Sequence, residues 1–355
     1  MTTRYGLPLT TFRQFFRAFL VSILGMTLAA CAPLTAPPGP RSATPQLTEK
    51  AFTTADGLEL AVRRWLPEGG APKVVVLAVH GFNDYSKAFD KVPGTPGVGP
   101  FLAARGIAVY AYDQRGFGAS PHFGLWPGRA VMVRDFTDFA KVLKAQYPAA
   151  ALYGLGESMG GAVVMTALAS ADPPPLTGAV LAAPAVWARS TMPPYYRFAL
   201  WLSARVAPGW TPTGQSLGRR ASDNIEMLRD NGRDPLFIKK MRIDSVYGLS
   251  DLMDEALTAA PKIKAPVLYL YGRHDQIIPK KPTKQALATM TAADPQARPA
   301  YYADGWHMIL RDQQAPLVLG DVAAFLENPT APLPSAADQD ALARLKAAPE
   351  ACPPC

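Results

Sequence analysis

At 355 residues, with 49% hydrophobic and 18% charged side chains, the chain can bury the core of one large globular domain or two ordinary ones. It carries no repeat at solenoid periods, which excludes a stacked-repeat architecture. The formal net charge is +8, but no run of clustered Lys and Arg is interleaved with aromatics, so the charge does not point to nucleic acid.

The first 31 residues stand apart. Arg4, Arg13 and Arg17 precede an apolar run from Ala18 to Ala30 that is short for a membrane span and has the layout of a secretory signal peptide. Its end, Leu28-Ala29-Ala30-Cys31, resembles the lipobox of bacterial lipoproteins, in which the cysteine becomes the lipid-bearing N-terminus. That resemblance implies removal of residues 1–30, export to the bacterial cell envelope and a membrane anchor on Cys31. Several acyl chains on one cysteine hold a protein firmly, whereas one does not. Residues 31–49 are rich in Pro, Thr, Ser and Ala and read as a flexible tether.

From Ala51 the elements follow in order. "LELAVRRWL" alternates and predicts a strand. "KVVVLAVHG" (73–81) and "IAVYAYDQRG" (107–116) are continuous apolar runs, as buried parallel strands require. Residues 129–147 have helical spacing, with Val133, Phe136, Phe139, Ala140 and Leu143 at three- and four-residue steps. Strands are expected again at 150–157, 177–185, 265–273 and 297–305. Helices are expected after Ser158 and over 315–327. Strands alternating with helices predict an α/β fold: a mostly parallel sheet covered on both faces. Residues 186–262 break the alternation and read as a mainly helical cap between two core segments, 50–185 and 263–327. The cap includes "PPYYRFALWLSARVAP", where Tyr195, Phe198, Leu202 and Val206 form one helical stripe and Tyr196, Leu200 and Trp201 lie on other faces. Such a helix must bury more than one face or offer one to a ligand or a membrane. Phe198 and Trp201 are therefore candidate acyl-binding residues. Residues 328–355 read as a Pro/Ala-rich tail ending in Cys352 and Cys355, where "CPPC" lacks the surrounding elements of a redox motif.

The stretch "YGLGESMGGAVVM" (153–165) sets four glycines around Ser158 where a strand turns into a helix. Glycine is costly there unless the turn leaves no room for a Cβ. Residues 156–160 fit G-x-S-x-G, the nucleophile elbow of α/β hydrolases. A serine nucleophile needs a base, an acid to orient it and donors for the oxyanion. Of the four histidines (His80, His122, His274 and His307), only His307 leaves room for an acid between Ser158 and itself at a strand end. Asp275, after the strand at 265–273, is the candidate acid. Asp304 is its rival but shares a loop with His307. The backbone N–H groups of Phe82 and Met159 are the expected oxyanion donors, and His80 is expected to support the loop rather than react.

"HGFND" (80–84), "DQRGFGAS" (113–120), "GESMGG" (156–161), "GRHDQIIP" (272–279) and "GWHMI" (305–309), in this order, resemble the monoacylglycerol lipase and lysophospholipase branch of the α/β hydrolases, of the serine aminopeptidase S33 type. "DPLF" (234–237) is similar to the Asp-Pro-Leu of family caps. The resemblance spans residues 50–327. It implies serine-esterase chemistry on a small lipid ester of one acyl chain, through Ser158, Asp275 and His307 with the Phe82 and Met159 amides. No cofactor is expected, since no metal cluster or dinucleotide fingerprint is visible. The same triad could serve a short-chain carboxylesterase, a proline-iminopeptidase-type peptidase or an acyltransferase. The reading from another class is a non-catalytic lipid-binding lipoprotein.

Overall fold

A computed structural model describes residues 34–212 and 218–349. The expected signal peptide, Cys31, Cys352 and Cys355 lie outside the described residues. Nine strands make one sheet: β1 (Gln46–Leu47), β2 (Ala51–Thr53), β3 (Glu59–Trp65), β4 (Val74–Val79), β5 (Ile107–Tyr112), β6 (Ala151–Glu157), β7 (Gly178–Ala182), β8 (Val267–Gly272) and β9 (Ala297–Tyr302). Their spatial order is β1-β2-β3-β5-β4-β6-β7-β8-β9. The first three are antiparallel to their neighbours, and β4 through β9 run parallel.

The central strands β4 to β8 are buried on both faces, and the pleat divides their residues. Val75, Leu77 and Val79 of β4 enter one core layer, while Val76 and Ala78 enter the other. That two-sided burial is why the parallel strands read as unbroken apolar runs. The first layer is covered by α2 (Arg129–Gln146) and α3 (Met159–Leu168), the second by α1 (Val98–Ala103) and α8 (Ala315–Glu327). Ser158 sits between the end of β6 and the start of α3, at the carboxyl edge of the sheet.

Between β7 and β8 lie α4 (Pro194–Val206), α5 (Ile225–Arg233) and α6 (Ile243–Ala259). Only the first part of the expected 186–262 cap is peripheral. Leu252, Met253, Ala256 and Leu257 of α6 are buried in the same layer as Val163 and Val164 of α3, so α6 is a core helix. By contrast α4 buries only Ala204.

Both ends depart from a free tether and a free tail. The Leu34 N–H bonds Asp244 Oδ2 at 3.0 Å, the Ala36 N–H bonds the Trp126 carbonyl at 3.1 Å, and β1 extends the sheet. Proline and threonine suit an extended strap as well as a coil, so composition alone could not separate the two. At the other end, α7 (Lys280–Ala293) and β9 receive the segment after α8. The Tyr301 N–H bonds the Ala337 carbonyl, α9 (Ala341–Ala347) follows, and Leu333, Ala337, Ala341 and Leu345 are buried. Four apolar side chains spaced at four-residue steps explain why this Pro/Ala-rich segment packs.

Candidate active site

The structure gathers Ser158, His307 and Asp275 at the ends of β6, β9 and β8. His307 Nε2 lies 3.0 Å from Ser158 Oγ, and His307 Nδ1 lies 2.9 Å from Asp275 Oδ2. The other Asp275 oxygen accepts the N–H groups of Ile277 and Ile278 at 2.8 and 2.9 Å. One oxygen is thereby anchored and the second faces the imidazole. Asp304, the rival acid, is exposed on its turn. His307 and Asp275 are buried, while Ser158 is half-buried.

Ser158 has φ 52° and ψ −114°, a conformation a side chain rarely adopts. Such a residue typically stores about 1–3 kcal/mol of strain, which the surrounding packing must hold. The glycines are what allow it. A Cβ on Gly160 would lie 2.0 Å from the Val79 carbonyl oxygen, so the first turn of α3 can pass β4 only without one. A Cβ on Gly81 would stand 3.3 Å from Ser158 Cβ, which shows how closely the loop after β4 approaches the nucleophile.

That loop carries Phe82. Its shape is set by His80, which is buried and neutral: its Nε2 accepts the Gln114 N–H at 3.0 Å, and its Nδ1–H therefore donates to the Gly81 carbonyl at 2.8 Å. Burial lowers its pKa. The Gln114 side-chain amide also donates to the His80 carbonyl at 3.0 Å. Among the described residues no hydrogen bond takes the Phe82 or Met159 N–H, so both donors are available to an oxyanion near Ser158.

Electrostatics favour a basic His307. Burial opposes its charged form, but the Asp275 carboxylate and its hydrogen bond outweigh that, Glu157 adds to them, and the pKa rises above 6.5. Phe198 and Trp201, expected to hold an acyl chain, lie instead on the outer surface of the cap. They stack on one another with centroids 6.0 Å apart and are 62% and 44% exposed.

Residues 70–314 match the family model described as serine aminopeptidase, S33. The chain belongs to the serine aminopeptidase S33 family. It is 25% identical over 287 residues to a monoacylglycerol lipase of Mycolicibacterium smegmatis, an alignment covering 79% of this chain and 96% of that protein. Its fold matches that of a soluble variant of the Saccharomyces cerevisiae monoglyceride lipase at a TM-score of 0.64 and 20% identity, over 82% of this chain and 99% of that one. A Paleococcus ferrophilus monoacylglycerol lipase gives 0.60 and 21%, over 77% and 100%. The architecture is the α/β-hydrolase fold, and this S33 chain is a hydrolase.

The S33 site also rests on contacts that its motifs do not reveal. Arg311, four residues after His307, is fully buried and donates through Nη2 to Asp84, in the loop after Phe82, and to Glu157, beside the nucleophile, at 2.9 Å to the latter. One guanidinium thus ties together the oxyanion loop, the elbow and the histidine loop. These residues lie up to 227 positions apart in sequence, beyond the reach of any local pattern. Asp312 accepts the Trp306 N–H at 2.7 Å and the Gln314 N–H at 2.9 Å, and burial pushes its pKa up to about 7. Asp234 of "DPLF" latches the cap to the oxyanion loop, accepting from the Tyr85 hydroxyl and the Lys87 ammonium at 2.7 and 2.6 Å. Burial opposes its charge, yet Lys87 and Tyr85 hold its pKa down at about 2.

Removing Arg311 would leave two buried carboxylates facing each other. Arg311→Met should destabilise the fold by about 3–5 kcal/mol, the usual cost of breaking a buried pair from one side. Urea unfolding measures this. A loss under about 1 kcal/mol would mean that the network is not holding the three loops together.

Proposed function

We propose that the chain hydrolyses the carboxylic ester of monoacyl lipids, monoacylglycerols or lysophospholipids, through an acyl-Ser158 intermediate. The observation that carries this reading is the unbroken relay Asp275–His307–Ser158 on a strained elbow. His307 Nε2 takes the Ser158 hydroxyl proton as Oγ attacks the ester carbonyl carbon. The carbonyl oxygen gains the negative charge and receives the Phe82 and Met159 N–H groups. When the tetrahedral adduct collapses, the C–O bond to the head-group alcohol breaks and His307 delivers its proton to that oxygen. Water, deprotonated by His307, then attacks the acyl-serine, releasing the fatty acid and restoring Ser158.

The aligned relatives named as monoacylglycerol lipases support the substrate class. The reading includes an exported, lipid-anchored protein in the bacterial cell envelope, supported by the lipobox-like Leu28 to Cys31.

The test is kcat/KM on p-nitrophenyl or monoglyceride esters of increasing acyl length. Each buried methylene contributes roughly 0.8 kcal/mol, so two carbons should raise kcat/KM about tenfold, from about C4 to at least about C8, before a plateau. A steady decline from acetate upward, or faster cleavage of aminoacyl-proline amides, would refute the lipid reading.

A further inference from the structure

The stretch between α4 and α5 crosses the rim of the active site and carries two consecutive arginines. Arg220 is pinned through the backbone to both catalytic loops. Its N–H donates to Gln276 Oε1 at 2.8 Å, one residue past Asp275. The carbonyl of its neighbour Ala221 accepts the Met308 N–H at 2.9 Å, one residue past His307. The Arg220 guanidinium lies over Trp306, 5.7 Å from the ring centroid, and that ring stacks on His274 at 5.2 Å. The Arg219 guanidinium lies over Trp187 at 5.3 Å. Trp187 follows Ala185 by two residues, and the Ala185 N–H bonds the Ser158 carbonyl at 2.9 Å. The pair therefore spans from the nucleophile side of the site to the histidine side.

Both arginines are exposed, and the two tryptophans are half-buried. Among the described residues neither guanidinium has an ion-pair partner. Of the carboxylates adjoining this stretch, Asp275 is committed to His307, and Asp223 accepts the Gln313 N–H at 3.0 Å. Contact with a ring face holds a guanidinium in place and leaves the N–H donors in its plane open. Two such groups side by side match the oxygens of a phosphodiester. A neutral glycerol head would leave both charges unanswered.

We propose that Arg219 and Arg220 form a subsite for an anionic head group, so that the enzyme prefers lysophospholipids bearing a phosphodiester to neutral monoacylglycerols of the same acyl chain. This rests on the lipid-ester reading of Ser158. The negative charge settles at the rim while the ester carbonyl meets Ser158 Oγ. The pair acts on head-group choice and not on the bond-breaking step.

The test compares octanoyl-glycerol with octanoyl-lysophosphatidylglycerol, both offered as monomers below their micellar concentrations so that no lipid surface contributes. The ratio of their kcat/KM values should favour the phosphodiester about tenfold, the combined effect of two exposed charge pairs. In Arg219→Gln/Arg220→Gln that preference should vanish, through KM rather than kcat, and Arg219→Lys/Arg220→Lys should keep most of it. Raising salt from about 0.05 M to about 0.5 M should erode it in the wild type, because exposed charges are screened. A merely structural pair would lower both substrates together and leave the ratio unchanged. A wild-type enzyme without the preference, or a preference that survives the glutamines, would overturn the subsite and leave the lipid-ester reading standing. Cleavage of p-nitrophenyl acetate with neither octanoyl ester touched would overturn that reading and the subsite with it. Inorganic phosphate that speeds glyceride cleavage in the wild type but not in the glutamine variant would assign the pair to a free anion and also overturn the proposal.

Discussion

Replacing Ser158 by alanine should lower turnover about a million-fold and leave the fold intact. The hydroxyl is half-exposed and its described side-chain partner is His307, so its loss opens no cavity in the core. The strained backbone at φ 52° is held by Gly160 against β4 and by Gly81 against the Ser158 Cβ, and an alanine methyl occupies the same Cβ position. The variant should unfold at the same denaturant concentration as the wild type, or slightly above it, since catalytic geometry often costs stability. Steady-state hydrolysis of a p-nitrophenyl ester, paired with urea unfolding, measures both. Retention of more than about a tenth of wild-type activity would sink the nucleophile assignment.

Asp275→Asn should cost about ten-thousand-fold in kcat. The reason lies in how the carboxylate is held. Ile277 and Ile278 donate to one oxygen, so an asparagine must keep its carbonyl oxygen there. Its NH₂ group then faces His307 Nδ1. That ring nitrogen would have to accept, the proton would move to Nε2, and Nε2 could no longer take the Ser158 proton. The variant also removes the charge that raises the His307 pKa. Burial remains and acts downward. The acid limb of kcat/KM, which should lie above pH 6.5 in the wild type, should therefore move to lower pH. Asp304→Asn, on the exposed turn, should leave both rate and profile nearly unchanged. If Asp304→Asn were the more damaging change, the acid would be misassigned.

The central parallel strands were legible because they are buried on both faces and therefore unbroken in hydropathy: "KVVVLAVHG" contains β4 at Val74–Val79, and "AALYGLGE" contains β6 at Ala151–Glu157. The elbow and the order of Ser158, Asp275 and His307 were legible because a strained turn admits few residue types and a chain with four histidines offers few bases. Arg311 was not, because nothing near it in sequence marks it as the partner of Asp84 and Glu157. The split of the cap was hidden for a related reason. Helix α6 and helix α4 are both apolar, and only tertiary packing puts Leu252 in the core and Phe198 at the surface. The strap fell outside any pattern, since it contributes backbone donors, to the Asp244 carboxylate and the Trp126 carbonyl, that any sequence offers.

The segment after α8 governs where this chain can be shortened. β9 is the last strand of the sheet, with β8 on one side and a single row of backbone groups on the other. Residues 328–349 lie over that border: Ala337 takes the Tyr301 N–H, Arg298 reaches Asp338 at 2.7 Å and the Pro329 carbonyl, and Lys280 donates to the Ala348 and Pro349 carbonyls. A chain trimmed to end at Glu327 would keep every residue of the triad. It would also present an uncapped strand able to recruit the same strand of another molecule, and its failure would be precipitation, not loss of chemistry.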